Sequence, residues 1–393
     1  MSFSTYDLKN ILMYNIIDKL VKRILIKLSH YKDKQEKNTY IEGIRSNFRK
    51  LANKTELTKD QKKEIQDYYY NLLGYQIPLD YHYYFTSRTG HYSKLYFPTS
   101  VYKTDIVGRL NVYPLKRAYT DKNISDILLP TIHQPKIFLK NMNGYFYFEG
   151  KPVDRNDAVQ LCSNLGEVII KPSLTGRGVG VSKIKIEKGM TDYEGKSLQE
   201  VFDVYKEDYL IEELVHQHPL MSALNPSSIN TIRIVTYRNE MEIFVVYTVI
   251  RIGRKDQPID NESAGGISTI INQDGTLGKY AYGSPGNDNI EFTDSGVKLE
   301  GYKIPSFSKA IDMVKNAHYQ LPYFKLMGWD IAIEEDGTPT MIEFNTTPDL
   351  SQSANGPAFG KYTEMILKEA KSRNNTWSRI ALECMWKKNN LIK

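Results

Sequence analysis

The stretch MGWDIAIEEDGTPTMIEFNTTPD, from Met327 to Asp349, predicts a β-hairpin that carries one acidic residue in each apolar arm. The pair Asp336-Gly337 is typical of the two-residue turn of such a hairpin, since both residues tolerate a positive φ angle. A two-residue turn places Asp330 directly opposite Glu343 on one face of the hairpin. The other face is expected to be apolar and to carry Ile331, Ile333, Ile342 and Phe344.

Two facing carboxylates in a largely apolar strand pair need an explanation, because like charges directly opposite one another are destabilising. A divalent cation between Asp330 and Glu343 removes that cost, and Asn345, two residues further on the same face, adds an amide oxygen. Such oxygen ligands suit Mg²⁺, which needs few protein ligands when phosphates supply the others. The alternative is a half-exposed sheet face with two solvated acids.

The composition of the 393-residue chain is that of an ordinary globular protein with room for two or three domains, with 41% hydrophobic and 25% charged residues. A net charge of +6 is thin over this length and does not indicate a nucleic-acid partner. Cys162 and Cys384 lie in no metal or redox spacing, which favours free thiols in a reducing cytoplasm. No run reaches the about 18 apolar residues of a membrane span, and the N-terminus has no signal-peptide layout.

Residues 5–30 are expected to form an amphipathic helix, because apolar positions recur every three or four residues with lysines and an arginine beside them. Such a helix most often packs on its own domain or on a protein partner. Contact with an anionic membrane surface is the second expectation, and it would make this cytoplasmic protein membrane-peripheral.

A glycine-rich loop joins two apolar strands in VIIKPSLTGRGVGVSKI, residues 168–184. Lys171 ends the first strand, and the loop that follows contains Ser173, Gly176, Gly178 and Gly180. Glycines let backbone amides approach an anion closely, so the loop predicts a phosphate site with Lys171 as its fixed positive charge. It is neither a Walker loop nor a dinucleotide fingerprint, since the lysine precedes the loop and no helix follows. A bare glycine hairpin is the alternative.

The stretch DYLIEELVHQHP puts Glu212 and Glu213 at the end of a short apolar strand. Extended backbone there could pair with an adenine edge, and an acid or amide could reach ribose hydroxyls. An ordinary strand end is the alternative.

Two arginines, Arg233 and Arg251, lie on two predicted strands that the tight turn RNEM connects. Arg233 alternates with apolar neighbours along its strand. Arginines that converge on the acid hairpin would stabilise a phosphoryl group or hold a carboxylate by two hydrogen bonds, whereas surface arginines on a sheet are the alternative. Lys122 stands at the start of a predicted helix, an unfavourable place for a cation unless an anion binds there. DNESAGGIST adds Asn261 and the pair Gly265-Gly266, a close-approach loop.

The order of these motifs resembles the ATP-grasp superfamily, which includes glutathione synthetase and D-alanine–D-alanine ligase. EFNTTPD is similar to the metal-binding Glu-x-Asn-x-x-Pro segment of those ligases. More narrowly, EELVHQHPLMSALNPSSINTIRIVTYR, IDNESAGGIS and MGWDIAI are similar to the sugar-transfer-associated ATP-grasp family of surface-polysaccharide gene clusters. The resemblance implies an α+β chain with an ATP-grasp fold, in which two α+β subdomains grip ATP, behind a helical N-terminal extension.

The resemblance divides the chain into four regions. These are a helical and aromatic N-terminal domain (1–100), a nucleotide-binding subdomain with a pre-grasp segment (101–216), a catalytic, metal-binding subdomain (217–371) and a C-terminal tail (372–393).

The resemblance also implies roles for the residues that match its motifs. Lys122 and Lys171 would hold the ATP phosphates beneath the glycine loop, and Glu213 or Gln217 would reach the ribose. The adenine hinge would be Glu212, Glu213, Leu214 and Val215. Mg²⁺ would bind Asp330, Glu343 and Asn345, and the catalytic arginines would be Arg233 and Arg251. Substrate would contact Asn230, Asn261, Gly265, Gly266 and Asp349.

The implied activity is an ATP- and Mg²⁺-dependent carbon–nitrogen ligation, in which a carboxylate forms an acyl phosphate that an amine displaces. The product would be an amide on a sugar or uronic acid of a capsule or other surface polysaccharide. Two alternatives stay open: an ATP-grasp sugar kinase, and a nucleotide-binding scaffold that docks a glycosyltransferase through residues 5–30. One departure is that D-alanine–D-alanine ligases follow their proline with glycine, where this chain has Asp349.

Overall fold

The computed structural model describes residues 5–176, 178–240, 242–255 and 265–373, with side chains from residue 20 onward except those of residues 22 and 29. Within these ranges the chain forms an N-terminal helical unit and two antiparallel β-sheets. Helices and antiparallel strands therefore occur in blocks, as predicted for an α+β chain.

The N-terminal unit precedes the first β-strand and covers residues 5–128. It begins with three helices, α1 (Thr5–Lys50), α2 (Lys59–Leu73) and α3 (Asp80–Thr89). Thr58 caps α2 in a reciprocal capping box with Gln61, and Gly74 ends α2 with φ 86°. Short turns follow, namely α4 (Thr99–Val101), a π-helical turn (Tyr102–Ile106), α5 (Val107–Leu110), a 3₁₀ turn (Tyr113–Leu115), α6 (Lys116–Tyr119), a 3₁₀ turn (Lys122–Ile124) and α7 (Ser125–Leu128).

The long helix α1 leaves its apolar stripe exposed between residues 20 and 31, where Leu20, Ile24, Leu28 and Tyr31 are each about half exposed. Contacts with the rest of the unit come later in α1, for example from Lys37 to Asp105. The helix is expected to pack on its own domain or on a partner, and these exposed members of the stripe do not pack on the domain. Contact with a partner or a membrane stays a prediction. Along the described part of the chain, no helix is apolar over a length that would cross a membrane.

The first sheet contains seven strands in the order β3-β2-β1-β7-β4-β5-β6. Its strands are β1 (Ile137–Met142), β2 (Tyr145–Phe148), β3 (Lys151–Val153), β4 (Gly166–Pro172), β5 (Ser182–Glu187), β6 (Met190–Thr191) and β7 (Tyr209–Glu213). Helices α8 (Arg155–Cys162) and α9 (Leu198–Tyr205) share a buried core with this sheet, because each has one apolar face.

The second sheet contains five strands in the order β10-β9-β8-β11-β12. Its strands are β8 (Ile232–Asn239), β9 (Glu242–Ile252), β10 (Ile267–Ile270), β11 (Leu326–Ile333) and β12 (Pro339–Asn345). The helices of this half are α10 (Pro219–Leu224), α11 (Phe307–Tyr319), α12 (Gln352–Asn355) and α13 (Thr363–Ser372), with a 3₁₀ turn at Gly360–Tyr362. One core joins the sheet to α11, and a second joins it to α2 and α13. All eight residues of β11, which lies between β8 and β12, are buried.

The hairpin β11–β12 pairs Asp330 with Glu343 as predicted, but its turn is not the predicted one. The backbone N–H of Glu334 donates to the carbonyl of Thr338, so the loop has three residues and ends at Gly337, whose φ is 86°. A bulge at Ile342 takes up the extra residue, since Ile331 pairs with Met341. The bulge restores the predicted pairing at the acids and turns Ile342 toward a cleft rather than the predicted apolar face.

Candidate functional site

A cleft of about 550 Å³ lies between the two sheets and collects most of the predicted site residues. The first sheet contributes β4 and β7, and the second contributes β9, β11 and β12. Apolar side chains, among them Ile169, Leu214, Val215 and Ile342, line the cleft beside the charged ones. A planar apolar ligand with a charged tail would suit such a lining.

Asp330 is held by an arginine on the neighbouring strand. Pairing of β11 with β8 sets Asp330 opposite Arg233, and both side chains are almost fully buried. The Nε atom of Arg233 lies 2.5 Å from Oδ1 of Asp330, and Nη2 lies 2.8 Å from Oδ2. Arg251 on β9 adds a longer contact, with Nη2 3.3 Å from Oδ1 of Asp330. Arg233 leaves the apolar face of β8, as its alternation with Ile232 and Ile234 predicts, and both arginines meet the acid hairpin.

Glu343 and Asn345 lie at the edge of the cleft, where the Asn345 amide is 3.3 Å from Oε1 of Glu343 and 3.5 Å from Oδ2 of Asp330. Lys122 Nζ is 3.8 Å from Oε2 of Glu343. Burial between the sheets raises the pKa of Glu343, and the neighbouring Asp330 raises it further. A cation at this position would favour the ionised form.

These three side chains could serve a metal that takes most of its ligands from elsewhere. No group of three or more His, Cys, Asp or Glu side chains within the described ranges is placed to hold a metal ion. Glu343 and the amide oxygen of Asn345 are hard oxygen donors, which suits Mg²⁺ completed by phosphate and water. Asp330 fits less well, because Arg233 already occupies both of its oxygens.

Lys171 and Glu212 form a buried ion pair across neighbouring strands β4 and β7 of the first sheet. Their side chains are 6% and 9% exposed, so each neutralises the other away from water. Burial raises the pKa of Glu212, and Lys171 opposes that rise. Burial likewise lowers the pKa of Lys122, while Glu343 opposes that change. Two lysines therefore lie near one another in the cleft, as an anion site requires.

The glycine loop arches beside these lysines. Lys122 Nζ donates to the Thr175 carbonyl at 2.5 Å, and its backbone N–H donates to the Ser173 carbonyl at 3.1 Å. Gly178 and Gly180 have φ angles of 72° and 76°, and a Cβ on Gly180 would lie 2.8 Å from Cγ of Pro172. Only glycine fits the last position without strain. The Ser173 hydroxyl is buried and has no hydrogen-bond partner among the described residues.

The two candidates for a ribose contact differ in their partners. The Gln217 amide donates to the carbonyls of Asn225 and Ser228 and accepts from Asn230, so it holds the loop before β8 in place. Glu213 is exposed and lines the cleft, and within the described part of the chain its carboxylate has one long contact, 3.4 Å from the Lys136 N–H. Glu213 is therefore the better placed of the two.

Several predicted substrate residues do not line this cleft. Asn230 is fully buried and donates to the Met221 and Asn225 carbonyls. Gly265, with φ 96°, and Gly266 precede β10, and Asn261 lies outside the described residues. Asp349 stands beyond the hairpin, where Lys103 contacts it.

Sequence reasoning missed a set of contacts from the N-terminal unit to the segment after the acid hairpin, residues 346–353. Asn111 donates to the Thr346 carbonyl at 2.6 Å, and Arg88 donates to the Ser353 hydroxyl at 3.0 Å. Arg88 lies in FTSRTGHYSKLYFP, so that motif was the available signal. Lys103 and Asn111 gave no signal of their own.

A family model described as "Sugar-transfer associated ATP-grasp" matches residues 102–367. The chain belongs to this ATP-grasp family. The match covers both sheets, the cleft, and the segment from Tyr102 onward that contacts residues 346–353. The α+β ATP-grasp fold with a helical N-terminal extension, inferred from the motif order, is thus confirmed.

Solved ATP-grasp ligases are similar to this family member at low identity. They include PsnB with its minimal precursor (13% identity, 67% of this chain and 62% of PsnB, TM-score 0.38). D-alanyl-alanine synthetase A from Vibrio cholerae O1 matches at 11% identity over 65% of this chain and 66% of that chain, with a TM-score of 0.38. An L-amino acid ligase from Bacillus licheniformis matches at 11% identity over 67% of this chain and 49% of that ligase, with a TM-score of 0.36. The chain thus spans less than two thirds of PsnB. A comparison with curated proteins finds no match.

Proposed function

We propose that the protein is an ATP- and Mg²⁺-dependent carboxylate–amine ligase. The observation that supports this most is that one cleft is lined by two lysines beside a glycine loop, by Arg251 and by the acid hairpin, while the buried Arg233 contacts Asp330 of that hairpin. The two lysines suit phosphates, and the arginines suit the phosphoryl group during transfer.

In this proposal, adenine lies against Ile169 and Ile342, with its edge on the backbone of Glu212–Val215. Glu213 contacts the ribose, and Lys122 and Lys171 hold the phosphates under the glycine loop. Glu343 and Asn345 hold the Mg²⁺, which when bound neutralises phosphate charge. Asp330 keeps Arg233 and Arg251 in position, since its carboxylate contacts both guanidinium groups.

The reaction needs no nucleophile from the protein. A carboxylate oxygen of the substrate attacks the γ-phosphorus, the bond to ADP breaks, and an acyl phosphate forms. An amine then attacks the acyl carbon, and phosphate leaves as the amide forms. The family description names sugar transfer, which favours a sugar as one substrate. Our proposal is that this substrate is a sugar or uronic acid in surface polysaccharide synthesis in the cytoplasm.

A sugar kinase with the same nucleotide site is the second candidate, because Arg233 and Arg251 could serve transfer to a hydroxyl as well. An ADP-release screen with Mg²⁺, over uronic acids and amines singly and in pairs, separates the candidates. The ligase predicts ADP release that requires both a carboxylate and an amine. Release with a neutral sugar alone supports the kinase. ATP binding without turnover in any combination supports a nucleotide-binding scaffold instead.

A further inference from the structure

The side chain of Asp349 is fixed in direction although most of it is open to solvent. Lys103 Nζ lies 3.0 Å from Oδ1 of Asp349 and donates to the Thr347 carbonyl at 3.2 Å. The Lys103 side chain is 13% exposed and that of Asp349 is 73% exposed. The Tyr247 hydroxyl donates to the Asp349 carbonyl, which anchors the backbone as well. Asp349 therefore presents an oriented carboxylate.

This carboxylate lies near enough to Arg233 to interact with it electrostatically. A Cβ on Gly328 would lie 2.7 Å from Cβ of Pro348 and 3.5 Å from Cδ of Arg233, so Pro348 and Arg233 meet at the same glycine. Asp349 follows Pro348 directly. Lys103 reaches it from a π-helical turn, a local distortion that often accompanies a functional site. The adjacent Tyr102 hydroxyl is buried with no hydrogen-bond partner among the described residues.

Amines are cations at neutral pH and must reach an acyl phosphate beside two arginines, which repel them. An oriented carboxylate near Arg233 offsets that repulsion. Resting on the proposed ligase function, we propose that Asp349 binds the ammonium group of the amine substrate, and that Lys103 is the positioning residue that aims it. The bound ammonium first gives one proton to solvent, which frees the nitrogen lone pair. The neutral amine then attacks the acyl carbon, the bond to phosphate breaks, and the second proton leaves with phosphate.

Binding of a simple ammonium probe tests this proposal without knowledge of the carboxylate. Ligand-observed NMR compares ethanolamine with ethylene glycol, its neutral counterpart, on the protein loaded with Mg²⁺ and a non-hydrolysable ATP analogue. We expect a signal from ethanolamine alone, reduced at least fivefold in Asp349→Asn. The matched control is Asp203→Asn on helix α9, whose carboxylate is 63% exposed and paired with Arg155 of helix α8. An ethanolamine signal that is absent from the wild type, or equal in both variants, would overturn the proposal.

A kinetic ratio separates this proposal from the ligase function itself. Hydroxylamine is largely neutral near pH 7.5, so it can trap an acyl phosphate with little need for a carboxylate partner. We expect Asp349→Asn to lower the ratio of amide to hydroxamate at least tenfold, and Lys103→Met to lower it less, with recovery in Lys103→Arg. An unchanged ratio rejects the ammonium site alone, whereas an absence of hydroxamate in the wild type rejects the ligase function.

Discussion

Arg233 on β8 donates two parallel hydrogen bonds, of 2.5 and 2.8 Å, to the carboxylate of Asp330 on the neighbouring strand β11. The acid that the sequence marked as a metal ligand is therefore already neutralised by a buried cation. Burial by itself lowers the pKa of Arg233, yet the attraction of Asp330 outweighs it and leaves that pKa raised. Asp330 acts first as the anchor of the arginines.

The Arg233→Met variant should lose about 3–5 kcal/mol of unfolding free energy, because it leaves the Asp330 charge buried without its main partner. Arg251→Met should lose much less, since its nearest contact with Asp330 is 3.3 Å and its side chain is 17% exposed. Urea unfolding of both variants measures the difference. Equal losses would mean that the two arginines share Asp330 evenly.

Glu343→Gln should lower Mg²⁺-dependent turnover by about a hundredfold or more, while the ligand-free protein still folds. The pKa of Glu343 is higher in the folded state than in the unfolded chain, where it is about 4.3. Below that unfolded-state pKa, Glu343 is protonated in both states and its ionisation does not affect stability. As the pH rises through the folded-state pKa, ionisation of Glu343 destabilises the fold. The melting temperature of Glu343→Gln relative to wild type should therefore increase as the pH rises above about 4.3. Glu335→Gln, an exposed acid that lines the same cleft, is the control and should show no such trend.

The pair Lys171–Glu212 gives a test of the nucleotide site that separates binding from folding. Lys171→Met leaves Glu212 buried and unpaired, which should cost about 3–5 kcal/mol of stability and weaken ATP binding. The double variant Lys171→Met/Glu212→Gln should recover most of the stability but none of the ATP affinity. Calorimetric titration with Mg²⁺ and a non-hydrolysable ATP analogue measures the affinity, and thermal unfolding measures the stability. Recovery of affinity in the double variant would contradict the phosphate role of Lys171.

Gly180→Ala should lower the free energy of unfolding by about 1 kcal/mol or more, because the φ of 76° at this position is unfavourable for alanine and the new Cβ would contact Pro172. Gly176→Ala is the matched change in the same loop, where a Cβ has no atom within 4 Å. Its stability should stay within about 0.5 kcal/mol of wild type. If thermal unfolding gives equal losses, the loop does not hold the shape described.

The sequence predicts the outline of the site because local patterns carry it. Asp330, Glu343 and Asn345 share a hairpin face by alternation, and Lys171 ends a strand before a glycine loop. The three-residue turn and the bulge at Ile342 were not predictable, since an Asp-Gly pair fits hairpin turns of two or three residues. The longer turn shifts the strand pairing by one residue, and the bulge shifts it back before the acids, so Asp330 still pairs with Glu343.

Contacts between distant segments lay beyond sequence reasoning. Gln217 was an equal candidate for the ribose until its amide proved to be occupied by Asn225, Ser228 and Asn230. Lys103 gave no pattern, because its contact with Asp349 joins residues 246 positions apart. Only folding brings such pairs together.

The fate of a carboxylate oxygen shows whether an acyl phosphate forms during turnover. The carboxylate that supports turnover in the ADP-release screen is labelled with ¹⁸O in its carboxyl group and incubated with ATP, Mg²⁺ and the amine. Because that oxygen attacks the γ-phosphorus and leaves with it, the account predicts one ¹⁸O atom in each released phosphate. Unlabelled phosphate, or a phosphate that stays on the sugar, would contradict it.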